Sequence, residues 1–352
     1  MTVSPFDHPI LSALVGDPEI AAAFAVEADV EAMLAFEAAL ALSQASVGLI
    51  SESAARRIAG VSADFRPDIV ALAKGAGQDG VVAPALVRLL REAVGEPYAA
   101  EVHRGATSQD VIDTSLALRL KAVIATLESR LEALVALLRA VERDQGSVPL
   151  MGRTRMQRAA PIHARDKLRN WREPLERHQR RLGELKPRLL VVQFGGAVGV
   201  RDGLDGKGEA IAIELARRLE LGDGPCWHAQ RDSLAEFAAW LSLVSGSLGK
   251  IGQDVAVLAQ NEIGEVKLAE VGGSSAMPHK SNPVRAEVLV ALARFNAALL
   301  GGEHQALVHE NERSGAAWTL EWLTIPQMTV ACGASLRHAA ALCRGLKFVA
   351  SN

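Results

Sequence analysis

The chain has 352 residues, 49% hydrophobic and 22% charged, which is ample for a large core and too long for one compact unit, so two or three subdomains are expected. A net charge of −3 gives no electrostatic case for a nucleic-acid or membrane partner. Aromatics make up only 4% while Ala and Leu dominate, which favours closely packed helices over sheet. Cys226, Cys332 and Cys343 show neither metal-ligand spacing nor a disulfide framework, so buried thiols in a reducing compartment are expected. The first residues lack a basic start followed by an apolar run, and no apolar stretch is long enough to span a bilayer. A cytoplasmic protein is expected.

Residues 1–100 read as an N-terminal helical domain and residues 101–352 as a central long-helix bundle domain. In the first, residues 20–49 are periodic, with Phe24, Val26, Val30, Met33, Leu34, Phe36, Leu40 and Leu42 near one stripe. Shorter helices are expected over 51–61, 67–74 and 84–94, with 75–80 as a loop. In the second, apolar residues recur at three and four from 108 to 144, and Gly146 and Pro149 end that helix. Further helices are expected over 161–190 with a kink at Pro174, over 232–266, over 283–300 and over 325–346. Gly246, Gly249 and Gly252 would weaken a lone helix, so close helix packing is the expected reason for them. No strand alternation of any length is visible. Helices spanning about 30–50 Å bury a wide apolar face only against each other, so an all-α elongated bundle is expected. Their all-round apolar character favours a homo-oligomer.

Three polar stretches interrupt this apolar background. Residues 272–283, GGSSAMPHKSNP, put Ser274, Ser275 and Lys280 among flexible glycines and two prolines that exclude helix interior. Asn282-Pro283 reads as an N-cap followed by proline at the first helical position. Such a loop suits anion binding and proton transfer, although a plain Gly/Pro connection has the same composition. Residues 103–110, HRGATSQD, place Thr107 and Ser108 where the longest helix begins. Simple capping accounts for them, and so does a carboxylate held on the free N–H groups of the helix. His103 alone is a structural hydrogen-bonder more often than a ligand. Residues 152–157, GRTRMQ, read by themselves as a basic, solvated loop. No Cys/His cluster has ligand spacing and no Gly-rich strand-to-helix turn is present, so neither metal nor cofactor is expected. Trp227 and Trp318 are expected in core or interface, and Arg231 and Arg313 in structural ion pairs.

The loop GSSAMPHKSNP resembles the signature of the fumarase/aspartase superfamily, which includes fumarases, aspartases, argininosuccinate and adenylosuccinate lyases and 3-carboxy-cis,cis-muconate cycloisomerases. Residues 103–110 match its first signature, H-x-G-x-T-S-x-D, and residues 152–157 its second, G-x-T-H-x-Q. The resemblance implies that Ser274 exchanges a proton with the carbon α to a substrate carboxylate, and that Lys280 and Asn282 bind that carboxylate. It implies substrate contacts at Thr107, Ser108, Gln109, Thr154 and Gln157, with His103, Arg153, Ser275 and Met277 beside them. It also implies a homotetramer with a twenty-helix core and active sites built from three chains each. Family members usually carry a further small C-terminal helical domain, which is expected here to be absent or reduced to the last few residues.

One position departs from the pattern. The histidine of the second signature is Arg155, and the glutamate that orients it in the lyases matches Glu287. An arginine, with a pKa above about 12, cannot act as acid or base near neutral pH. Arg155 is expected to pair with Glu287 or to bind a carboxylate. Expelling an amine or hydroxide needs a proton for the leaving group, whereas a carboxylate nucleophile or leaving group needs none. Within the superfamily the departure therefore points to lactone formation, the reaction of the 3-carboxy-cis,cis-muconate cycloisomerases. Residues 226–238 and 311–322 resemble those enzymes as well, and the resemblance covers roughly residues 10–345. The implied activity converts 3-carboxy-cis,cis-muconate to 4-carboxymuconolactone in protocatechuate breakdown. Arg155, Lys280 and Arg313 are the candidate cations for this polycarboxylate. A fumarate-releasing lyase and a non-catalytic helical scaffold are the alternatives.

Overall fold

The computed structural model describes residues 3–273, 275–277 and 280–351. Apart from two small two-stranded sheets it is helical, as the apolar periodicity predicts. An N-terminal layer holds α1 (Ser12–Val15), α2 (Pro18–Ala22), α3 (Val26–Ser46), α4 (Glu52–Asp64), α5 (Ile69–Asp79) and α6 (Ala83–Val94). The long helix α7 (Ser108–Gln145) follows, then a hairpin of β1 (Pro149–Thr154) and β2 (Gln157–His163), and α8 (Ala164–Leu189). Next come α9 (Gly208–Leu219), α10 (Asp232–Leu258), β3 (Val266–Leu268), α11 (Val284–Gln305), α12 (Gly315–Arg344) and β4 (Leu346–Phe348), which pairs with β3.

Several expected boundaries are corrected. The single helix over 20–49 is two helices, because Ile20 packs into the bundle core whereas Val30, Met33 and Phe36 pack into a second core under α4, α6 and α9. Asp17 caps α2 by accepting from Ile20 N at 3.1 Å. Residues 75–80 are not a loop but the end of α5, which stops at Gly80 in the left-handed region, φ 73°. Gly75 stays helical because its bare Cα lies against α6, where a Cβ would come within 2.4 Å of the Ala85 Cβ.

The expectation of no strands fails at the second polar stretch. Residues 161–163 end β2, and α8 starts at Ala164, where the Asp166 carboxylate accepts from His163 N at 2.8 Å. Thr154 pairs with Gln157 across a two-residue turn in which Arg155 and Met156 both take positive φ, 50° and 67°. That geometry matches the right-handed twist of the flanking strands. Neither residue is a usual occupant of the turn, so sequence punctuation did not mark it.

At the other end of the chain, α10 stops at Leu258 rather than near 266, and α12 begins at Gly315, well before 325, with Pro326 inside it. Gly249 and Gly252 do serve close packing, since a Cβ would meet Ala293 Cβ at 2.5 Å and Ala286 O at 2.4 Å respectively. Gly246 instead faces open space. Asn282 is not the cap of α11. That position is Pro283, and Asn282 exchanges two backbone hydrogen bonds of 2.9 Å with Gly272, closing the neck of the loop.

Side-chain bridges fix the direction of the long helices. Trp318–Asp113 near one end and Gln145–Leu346 at the other make α7 and α12 parallel. Arg231–Asp113 sets the start of α10 beside them. Trp171–Asp254 and Arg188–Glu236 make α8 antiparallel to α10. Glu303–Thr324 and Arg285–His338 make α11 antiparallel to α12. The bundle therefore has two chemically distinct ends. Among the described residues, no helix is long and apolar enough to cross a membrane.

Candidate active site

The start of α7 forms one end of the bundle. Thr107 takes extended backbone there, and its N–H donates to Asp110 Oδ2 at 2.9 Å in a capping box. Asp110 is fully buried and saturated. Its Oδ1 accepts from Gly195 N at 2.8 Å, His228 Nε2 at 2.9 Å and Gln193 Nε2 at 3.1 Å, while Oδ2 also accepts from Gly196 N at 2.9 Å. One carboxylate thus ties the helix start to the 193–196 strand-like segment and to the 226–231 loop.

Arg313 lies over this helix start. Its Nε donates to Gln109 Oε1 at 2.8 Å, and its Nη2 reaches Ala197 O at 3.2 Å and Thr107 Oγ1 at 3.4 Å. All three partners are neutral, so the structural ion pair expected of Arg313 is absent among the described residues, and the guanidinium charge adds to the positive end of the helix dipole. Gln109 is placed differently from expectation. It has no exposed surface, and its amide donates to Asp113 Oδ2 at 3.0 Å and His228 O at 2.9 Å, so its remaining oxygen is aimed at Arg313. It positions the arginine and does not reach the cleft. Beside it, Arg88, Arg91, Glu92, His103, Thr107 and Ser108 line an open cleft of about 520 Å³, in which Glu92 pairs with Arg88 and leaves Arg91 and His103 as the cations. His103 Nδ1 contacts the buried Glu37 carboxylate at 2.5 Å. Burial opposes the charged imidazole, but the Glu37 charge and hydrogen bond outweigh it and raise the His103 pKa. A cationic, hydroxyl-bearing cleft at a helix N-terminus suits carboxylates.

Behind Arg313 sits a buried ion network. Arg231 is paired on one side with Asp113, at 2.6 and 3.3 Å, and on the other with Glu321, at 2.8 and 2.5 Å. Its guanidinium also stacks 4.7 Å from the Trp227 ring. Trp318 Nε1 donates to Asp113 Oδ1 at 3.0 Å. The structural ion pair expected of Arg231, and the buried Trp318, are both present.

The other two stretches lie at the opposite end. The 38 residues of α7 separate Ser108 from Gln145 by about 55 Å. The hairpin leaves from the Gln145 end, and Arg153 in β1 is tied there to the buried Glu265 at 2.9 Å and to Met151 O at 3.0 Å. Arg153 is thus a structural pair rather than a free cation. Thr154, Arg155 and Gln157 are exposed at the hairpin tip. Among the described residues, Arg155 makes no ion pair, so the expected Arg155–Glu287 bridge is absent within one chain, and Glu287 is exposed in the first turn of α11. Lys280, Ser275 and Met277 are exposed in the signature loop, and Asn282 Nδ2 donates to Gly273 O at 3.1 Å. Ser274 lies outside the described residues.

Asp110 leaves a measurable signature. Burial pushes the His228 pKa down, but Asp110, and after it the neighbouring Cys226, outweigh it and lift it to about 9. A folded value above the unfolded one means the stabilisation is fully present below pH ~6.5 and is lost as pH rises through ~9. Urea-unfolding free energy is expected to fall by up to about 3 kcal/mol between pH ~6 and ~10. Replacing His228 by Gln should flatten most of that slope, and equal slopes in both proteins would refute the assignment.

Residues 15–295 match the family described as lyase. The chain belongs to this lyase family, that of the fumarase/aspartase superfamily. It is 41% identical to the 3-carboxy-cis,cis-muconate cycloisomerase of Pseudomonas aeruginosa, over 93% of this chain and 72% of that protein. The crystal structure of the 3-carboxy-cis,cis-muconate lactonizing enzyme from Pseudomonas putida superposes with a TM-score of 0.91 at 40% identity, covering 97% of this chain and 77% of that one. A fumarate lyase from Mesorhizobium sp. BNC1 superposes with a TM-score of 0.89 at 33% identity, over 95% and 76% of the two chains.

Within this lyase fold, sequence reasoning missed Asp110, Gln193, Ala197 and His228 as parts of the α7 end. Asp110 carried a signal, being three residues after Thr107 in a capping-box pattern. Gln193 and Ala197 carried none, since they reach the site only because the segment after α8 runs back past the start of α7.

Proposed function

We propose that this protein is a cycloisomerase that closes 3-carboxy-cis,cis-muconate to 4-carboxymuconolactone. The observation that carries this reading is Arg155 at the hairpin tip, in the place of an ionisable histidine. A permanent cation there binds a carboxylate well and protonates nothing. Lactone closure asks for no protonated leaving group: a substrate carboxylate oxygen adds to C4, and a proton is delivered to the neighbouring carbon. Lys280 and Asn282 stabilise the negative charge that develops on the adjoining carboxylate, and Ser274 supplies the proton. Thr107, Ser108 and Arg313 seat a further carboxylate at the α7 N-terminus, with Gln109 fixing the arginine.

Because one chain holds Ser108 and the Lys280 loop at opposite ends of α7, a site that uses both takes them from different subunits. We propose a homotetramer in which the exposed hairpin tip and signature loop of two chains meet the α7 start of a third. An isolated two-stranded hairpin is marginally stable, so cover from a neighbour also accounts for the exposed β2. The cytoplasm is the proposed location, consistent with three free cysteines.

The test is an ultraviolet assay of the purified protein with 3-carboxy-cis,cis-muconate. Loss of the conjugated diene with a lactone as product is expected. The likeness to a fumarate lyase favours a second reading, release of fumarate from a succinyl adduct. Fumarate appearing from adenylosuccinate or argininosuccinate, with the muconate untouched, would establish that reading instead.

A further inference from the structure

Cys226 is the one of the three thiols that is not sealed in the core. It lies half-buried in the loop before α10, whereas Cys332 and Cys343 are buried within α12. Its surroundings are polar and ordered. The Gln193 amide donates to Sγ at 3.1 Å, and that amide cannot turn away, because its other contacts are Asp110 Oδ1 at 3.1 Å and Trp227 N at 2.7 Å. The His228 side chain is 3% exposed, and its Nδ1 has no hydrogen-bond partner although it is fully enclosed. Its Nε2 is held by Asp110 Oδ1 at 2.9 Å. A methyl group placed on Gly199 would lie 3.1 Å from Cys226 Sγ and 3.7 Å from His228 Nδ1, so the two atoms flank one point. Thiol, imidazole and buried carboxylate therefore stand in sequence, the arrangement that activates a nucleophilic thiol elsewhere.

We propose that Cys226 is a modification site, a thiol activated by His228 and Asp110 that takes small soft electrophiles and hydrogen peroxide. Asp110 holds the charged His228 ring by Nε2, which leaves the Nδ1–H of the imidazolium to stabilise the thiolate. With peroxide, the thiolate sulfur attacks one oxygen and the O–O bond breaks. The departing hydroxide takes the proton from the imidazolium and leaves as water. Sulfur is oxidised to a sulfenic acid and peroxide is reduced. Burial raises the thiol pKa, but the neighbouring His228 and the Gln193 amide outweigh it and lower it. In contrast, burial pushes Cys332 and Cys343 up to about 12.

The modification has a route to the anion-binding end. Sγ is roofed by a glycine turn, since a Cβ on Gly195 would come within 2.5 Å of it. Atoms added to sulfur press on this turn, which supplies Gly195 N and Gly196 N to Asp110 and Ala197 O to Arg313.

The test uses the native full-length protein and iodoacetamide, with the modified residue identified by mass spectrometry. Alkylation is expected at Cys226 and not at Cys332 or Cys343. Its rate should reach half-maximum below the pH of an ordinary thiol, near ~8.5, and His228→Gln should move that midpoint upward. Alkylation that needs denaturant, or a midpoint at the ordinary value in both proteins, would overturn the proposal. A second arm treats the enzyme with hydrogen peroxide and then dithiothreitol. At least a 5-fold, reversible loss of activity is expected in the wild type and little in Cys226→Ser. Equal loss in both would overturn the link to the site. This arm rests on the proposed activity and the alkylation arm does not, so failure of one is distinguishable from failure of the other.

Discussion

Arg231→Met is expected to cost about 3–5 kcal/mol of folding stability, read as a lowered midpoint of urea unfolding. The side chain is about 1% exposed and neutralises two carboxylates, Asp113 and Glu321, that are equally buried. Removing it leaves both without a cation, where water cannot replace it. The cost should lie in the uncompensated charges rather than in the lost pair itself, because bringing three charged groups out of water offsets most of their attraction. That makes a second variant informative. Asp113 keeps donors from Gln109 and Trp318 when Arg231 is gone, but Glu321 does not. Arg231→Met combined with Glu321→Leu is therefore expected to regain about half of the loss, as a coupling of more than ~1 kcal/mol in the double-mutant cycle. Strict additivity would show that the network is not one electrostatic unit.

Arg313→Ala is expected to lower kcat/KM by about 10- to 100-fold while costing at most about 1–3 kcal/mol of stability, because Gln109 Oε1 loses its donor. The arginine makes its contacts to neutral groups, so its removal strands no buried charge. On the proposed function, what is lost is a charge-assisted bond to a substrate carboxylate, about 1.5–3 kcal/mol. Arg313→Lys should recover part of the effect, because a lysine keeps the charge and loses the fixed fork. The same variant tests the shared site. Lys280→Ala is expected to be at least as impaired, and mixing it with Arg313→Ala under conditions of subunit exchange should restore up to about a quarter of the activity, since some sites then draw both intact residues from different chains. No recovery, with exchange demonstrated by mass, would place both residues in one chain's site.

Much of the helical frame was legible from the sequence because apolar spacing is a local property. The 108–144 periodicity gave α7 almost to the residue, and Thr107 gave its cap. The hairpin was not legible, because Arg155-Met156 is an unlikely pair for a turn with two positive φ angles and β2 has no buried face whose alternation could show. The break between α2 and α3 was hidden for another reason. One continuous stripe of apolar residues serves two different cores, and only the packing separates Ile20 from Phe36.

The sequence by itself determined the lyase family, the three polar stretches and the substitution of arginine at position 155, since each is a matter of which residue follows which. Only the tertiary structure decided where these stretches lie. The long helices run in fixed directions, and α7 is stiff over its whole length, so stretches that look equivalent along the chain end up about 55 Å apart. It also decided that Gln109 serves Arg313, 204 positions away, and that Cys226 lies beneath the Gly195 turn. Contacts of that span arise when helices close on a common core, and no local pattern of residues records them.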